Sequence, residues 1–194
     1  MKIAFIGLGR MGKPIALNML RSDAEIIVYA RNAEILSEFD RKNVMASNNL
    51  LDTAQANILF LCLPNSVVVE DILLDKNGLA EHLRAGQIIV DFSTINYKAT
   101  IEIAEILKEK GVHFIDAPIS GLEARAIDGT LTIMCGGEIE VFNIVKPYLE
   151  FVGKNILYMG NVGSGQLTKL TNQLLYDINV AAMAEILPIA VKMG

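Results

Sequence analysis

Runs of about five apolar residues recur along the chain, as strands buried on both faces require. Most are closed by a turn and followed by a stretch whose apolar residues return at helical spacing. The runs predict strands over 2–6, 26–29, 44–45, 58–63, 88–92, 114–115, 131–134 and 156–158. Between them the pattern predicts helices over 13–21, 33–42, 47–56, 67–74, 97–110 and 140–149. Pro14 suits the first turn of the first helix, where a missing N–H costs nothing. Ser47 is a candidate N-cap for the third, and Gly111 a stop for the fifth. Strand and helix in alternation imply right-handed crossovers and a doubly wound, mainly parallel sheet covered on both faces.

The last segment is different. From Ser164 to Met193 the only breaker is Pro188, and Leu167, Leu170, Leu174, Leu175, Ile178, Ala181, Ala182, Ile186 and Ile189 cover more than one helical face. An ordinary surface helix has a single stripe about 100° wide. The division expected is a domain over 1–163 and a long interdomain helix over 164–194 leading into an absent all-helical domain, with the chain read as a fragment.

Composition narrows the class. Hydrophobic residues make up 52% and charged residues 20%, enough for a large core. No unbroken apolar run reaches the roughly 18 residues of a membrane span, so none is expected. A net charge of −5 without a block of Lys or Arg gives no support for a nucleic-acid surface. Cys62 and Cys135 lie in strand-like runs and read as reduced core residues. With only His82 and His113 beside them, a metal site lacks ligands. A strand at the very start leaves no room for a signal peptide, so a cytoplasmic protein is expected.

The first turn reads Gly7-Leu8-Gly9-Arg10-Met11-Gly12. It follows a strand and opens a helix, the context in which such glycines bind a dinucleotide (a Rossmann-type site). One glycine makes the tight turn, one admits the pyrophosphate to the backbone, and one lets helix and strand pack closely. The helix N-terminus presents free N–H groups to the phosphates. After the second strand the sequence is Tyr29-Ala30-Arg31-Asn32, without the acid that would accept from the ribose 2′-OH of NAD. Arg31 can stack on adenine and pair with a 2′-phosphate. NADP is therefore expected in preference to NAD.

Four motifs in order, the glycine turn continuing to Pro14, Asp91-Phe-Ser-Thr94, Asp116-Ala-Pro-Ile-Ser-Gly121 with Gly129-Thr-Leu-Thr-Ile-Met134, and Gly163-Ser-Gly-Gln-Leu-Thr-Lys169-Leu-Thr-Asn172, resemble the β-hydroxyacid dehydrogenase family. That family includes 3-hydroxyisobutyrate dehydrogenases, tartronate semialdehyde reductases and, more distantly, 6-phosphogluconate dehydrogenase. The resemblance implies that Leu63, Pro64, Asn65, Ser93 and Thr94 flank the nicotinamide and its ribose. It implies that Ser120 and Gly121 anchor a substrate carboxylate, that Lys169 is the catalytic acid and base, and that Asn172 binds substrate or holds Lys169 in place. Thr94 also reads as a helix N-cap. The partner implied is a small hydroxyacid or semialdehyde, with homo-oligomer contacts through the terminal helix and the missing domain. Leu122 and Arg125 depart from the family, standing where glycines are frequent, and Gln173 tilts the resemblance toward the tartronate semialdehyde branch. The alternatives are an imine reductase, which Lys169 opposes, and a dinucleotide-binding module without catalysis.

Overall fold

The computed structural model describes residues 1–39 and 41–194. Its elements in chain order are β1 (Lys2–Ile6), α1 (Gly12–Met19), β2 (Glu25–Tyr29), α2 (Ala33–Leu36), β3 (Val44–Ser47), β4 (Ile58–Leu61), α3 (Ser66–Leu74), β5 (Ile88–Asp91) and α4 (Tyr97–Glu109). Then follow β6 (His113–Asp116), β7 (Ile119–Ser120), α5 (Leu122–Asp128), β8 (Leu131–Gly136), α6 (Ile139–Leu149), β9 (Gly153–Gly160) and α7 (Ser164–Met193).

The strands form one sheet in the order β3-β2-β1-β4-β5-β6-β8-β7, with β9 also paired to β8. The first six are mutually parallel. β6 and β7 then meet β8 antiparallel, Asp116 opposite Gly136 and Ile119 opposite Ile133. The predicted doubly wound architecture is therefore present, with an antiparallel turn at one side.

Alternation along the strands explains why both faces need cover. Ile3, Phe5, Ile58, Phe60, Ile88 and Val90 enter one core cluster. Ala4, Ile6, Leu59, Leu61 and Ile89 enter the other. Phe92 packs against Phe60 at 5.7 Å between ring centroids, fixing the end of β5 against β4. Full burial of each ring is worth about 1.5–3 kcal/mol.

Three local predictions need correction. The helix expected over 33–42 is one turn, α2, which buries no side chain and passes into a 3-10 turn over Ser37–Phe39. Phe39 is fully buried, and inserting that ring ends the helical register; residue 40 lies outside the described residues. The helix expected over 47–56 is a 3-10 turn, Leu50–Gln55, whose cap is Asn49. Ser47 is held in β3 by pairing with Tyr29. Finally, β7 and α5 have no counterpart in the prediction.

The terminal helix spans the predicted residues, 30 in all. Only Gly165 and Gln166 within it are buried, and every residue beyond Gln173 is exposed. Among the described residues it is one helix long and apolar enough to cross a membrane by length and composition. Counting unbroken apolar runs missed this, because Lys169, Asp177, Glu185 and Lys192 interrupt the sequence without changing its average character.

Candidate dinucleotide and substrate site

The carboxyl ends of β1 and β4 are neighbours whose crossovers leave in opposite directions across the sheet, where an open α/β sheet takes its ligand. A cleft of about 1300 Å³ opens there. Its floor is the Gly7–Gly12 turn, and the glycines divide into two kinds. A Cβ on Gly7 would lie 2.3 Å from the Cys62 carbonyl oxygen, and one on Gly12 would lie 1.8 Å from that of Gly7. Those two are demanded by the protein's own packing. A Cβ on Gly9 would meet nothing within 4 Å, so the space over Gly9 is free for a ligand. A dinucleotide pyrophosphate fits this cradle, which leads to the N-terminus of α1.

Leu8, Arg10 and Met11 line the same cleft, and Arg31 lies on its wall after β2. The Arg10 guanidinium is paired with Glu123 of α5, and Asn18 of α1 donates to the Ala126 carbonyl at 2.8 Å. These contacts hold α5, and with it the Ser120-Gly121 turn, beside the glycine turn.

Leu63, Pro64 and Thr94 line the cleft as predicted; Asn65 does not. Its side chain instead caps α3, accepting from the Val68 N–H at 3.0 Å. The N-cap role considered for Thr94 belongs to Asn96, which accepts from the Lys98 N–H at 2.8 Å. The Leu63 N–H donates to Ser93 Oγ at 2.9 Å, tying the two loops together. Cys62 lines the cleft too, but burial first and the Asp91 charge second push its thiol up to about 12. A neutral thiol is a poor nucleophile. Cys135 is buried, and both cysteines are free.

Ser120, Gly121, Lys169 and Asn172 are brought together across the mouth of the cleft. Gln173 and Tyr176 join them, and the spacing from Lys169 puts all four α7 residues on one helical face. Burial holds the Lys169 ammonium below the usual lysine range, since a partly desolvated cation is disfavoured.

What fixes α7 is a buried polar lock. Asp116, at the end of β6, accepts from the Gly163 N–H at 2.7 Å and the Gln166 N–H at 2.8 Å, capping the helix with a carboxylate. Gln166, fully buried, donates to the Ser93 carbonyl at 2.6 Å and accepts from the Ile95 N–H at 3.2 Å. Burial raises the Asp116 carboxyl to about 6 against the pull of these N–H groups. Asp91 is fully buried as well, and burial raises it to about 7. One of its oxygens accepts from the Ser93 N–H at 2.9 Å; the other has no partner among the described residues. The motifs contain all three residues, yet sequence reasoning assigned them no role. Asp71, which also lines the cleft, carried no sequence signal.

A family model described as the NAD binding domain of 6-phosphogluconate dehydrogenase matches residues 2–160. The chain belongs to that family. It is a nicotinamide-dinucleotide-binding domain with the Rossmann-type fold, as the family resemblance implied. It is 37% identical over 194 residues to 2-(hydroxymethyl)glutarate dehydrogenase of Eubacterium barkeri, covering all of this chain and 64% of that protein. To 2-hydroxy-3-oxopropionate reductase of Escherichia coli K12 it is 38% identical over 196 residues, covering all of this chain and 66% of the relative. Among solved structures, the 3-hydroxyisobutyrate dehydrogenase of Mycobacterium tuberculosis with L-serine superposes with a TM-score of 0.92 at 27% identity. That match covers all of this chain and 66% of the other. The chain thus spans a little under two thirds of these relatives.

Proposed function

We propose that this chain is the cofactor-binding part of an NAD(P)-dependent oxidoreductase that interconverts a short β-hydroxy acid and its semialdehyde. The observation that carries the reading is the meeting of Lys169, Asn172, Ser120 and Gly121 in the cleft that the glycine turn floors. The compounds named in the relatives share a hydroxymethyl or formyl carbon beside the carbon bearing a carboxylate, and differ in what else that carbon bears. A site for them needs a fixed carboxylate anchor and a proton donor at the next carbon.

This site has both. The Ser120 hydroxyl and the Gly121 N–H bind the carboxylate and so orient the chain of the substrate. The bound dinucleotide supplies or accepts the hydride. Lys169 donates its proton to the developing alkoxide in reduction and takes it back in oxidation, while its charge stabilises that oxygen. Asn172, one turn along, holds the ammonium or the substrate oxygen in line. We take NADP as the preferred cofactor, because Arg31 stands where an acid would be needed for NAD. The domain limit at residue 163 belongs to the same reading. So do the assignment of the exposed α7 face to protein contacts in a homo-oligomer, and a cytoplasmic setting, with which two free cysteines agree.

The test is the Lys169→Ala variant of the natural polypeptide that carries this sequence. NADPH oxidation with short semialdehyde acids should fall at least 100-fold, the usual scale for a positioned general acid, with the NADPH dissociation constant within about threefold. Near-normal turnover removes Lys169 from the chemistry.

A further inference from the structure

The cleft contains a cation and an apolar side chain that the chemistry above does not use. Arg125 lies in α5 and lines the cleft beside Ser120 and Gly121. Its aliphatic stem rests on the Gly121 backbone: a Cβ built there would stand 2.7 Å from the Arg125 Cδ. Gly121, at φ +141°, has no side chain to displace that stem. The guanidinium is exposed and makes no ion pair or hydrogen bond among the described residues. Glu123, the acid nearest in sequence, is taken by Arg10. Nor does the cofactor call on Arg125, since Arg31 stands at the adenosine end.

Leu122 is the companion feature. At φ +60° it is the one non-glycine residue with positive φ among those described, a backbone state that costs a branched side chain about 1 kcal/mol or more. Packing does not offset this strain, because the side chain is 81% exposed. Strain that buys no burial is typical of ligand-contacting positions. Here it exposes an apolar surface in the same cleft that Ser120 and Arg125 line.

We propose that the substrate is a dianion: one carboxylate held by Ser120 and Gly121, a short aliphatic spacer lying on Leu122, and a second carboxylate paired with Arg125. This rests on the reading of Ser120 and Gly121 as the first anchor. A guanidinium takes a carboxylate through two parallel N–H donors, so Arg125 favours dicarboxylic over monocarboxylic semialdehydes of equal length.

Glutarate and butyrate are matched probes, differing only in the terminal carboxylate. Each is titrated into the natural polypeptide saturated with NADPH, with the cofactor fluorescence as readout. Glutarate should bind at least about tenfold tighter, the scale of one charge-assisted pair. Arg125→Gln should bring glutarate to the level of butyrate, and Arg125→Lys should recover part of the difference. Equal affinities in the unsubstituted protein, or a glutarate advantage that survives Arg125→Gln, overturn the proposal. Ser120→Ala distinguishes the two levels: it should weaken both acids. If it weakens neither, the first anchor falls and the dianion reading falls with it; if it weakens both while glutarate holds no advantage, only the dianion reading falls.

Discussion

Adding one methyl group at Gly9 and one at Gly12 separates what the glycine turn does for the ligand from what it does for the fold. At Gly12 the new carbon stands 1.8 Å from the Gly7 carbonyl oxygen, about 1.5 Å inside ordinary contact. Gly7 sits in packing so close that a Cβ on it would stand 2.3 Å from the Cys62 carbonyl oxygen, which limits its retreat. Gly12→Ala therefore has to part α1 from β1, and should cost about 3–5 kcal/mol, the range of severe core disruption. At Gly9 the methyl meets no protein atom, so stability should stay within about 0.5 kcal/mol. Binding should suffer instead, because the methyl fills the space that brings phosphate oxygens to the backbone N–H groups. Losing one charge-assisted hydrogen bond, about 1.5–3 kcal/mol, weakens NADPH about 10- to 150-fold. Thermal melting and NADPH fluorescence titration on both variants read the two effects. A Gly9→Ala protein that binds NADPH within twofold of the unsubstituted chain, or a Gly12→Ala protein that melts unchanged, would refute the division.

Asp91 sets a pH dependence. Its folded pKa lies near 7 against an ordinary 3.8, so the folded state holds a proton that the unfolded chain has lost. Stability is full below pH 4, falls as pH rises to 7, and levels off above; the drop is about 4 kcal/mol at 1.36 kcal/mol per unit. Denaturant melts of Asp91→Asn across that window should be flatter than those of the parent, and parallel curves would count against the buried acid. Asp116→Ala leaves the Gly163 and Gln166 N–H groups without their acceptor and should cost about 2–6 kcal/mol at 1–3 per buried donor, measured by urea unfolding. Arg31→Ala should weaken NADPH at least about tenfold more than NADH, which loses only the stacking on adenine; equal losses for both would show that Arg31 does not read the 2′-phosphate.

The features most legible in the sequence are those fixed by neighbours in the chain. The glycine turn follows from contacts among residues 7–12 and one strand neighbour, and the bounds of α7 from the lack of any breaker but Pro188. Errors came where distant partners choose between equivalent local signals. Ser47 and Asn49 are both good caps, and pairing of β3 with β2 gives Ser47 to the strand. Asn65 carries the same cap signal, and the family resemblance drew attention to the cofactor instead. Asp116 and Gln166 were in view as motif members, but their bonds span 47 to 73 positions. Nothing local tells that β5, β6 and α7 converge there.

The lock at the root of α7 has a mechanical consequence. Carboxylate, amide and helix end form a weld between the sheet and the first turn of α7, so Lys169, one turn on, stays close to the frame of the glycine turn. Any tilt of the exposed length of α7 then has to begin past Gln166, while the root of the helix keeps its register with the sheet.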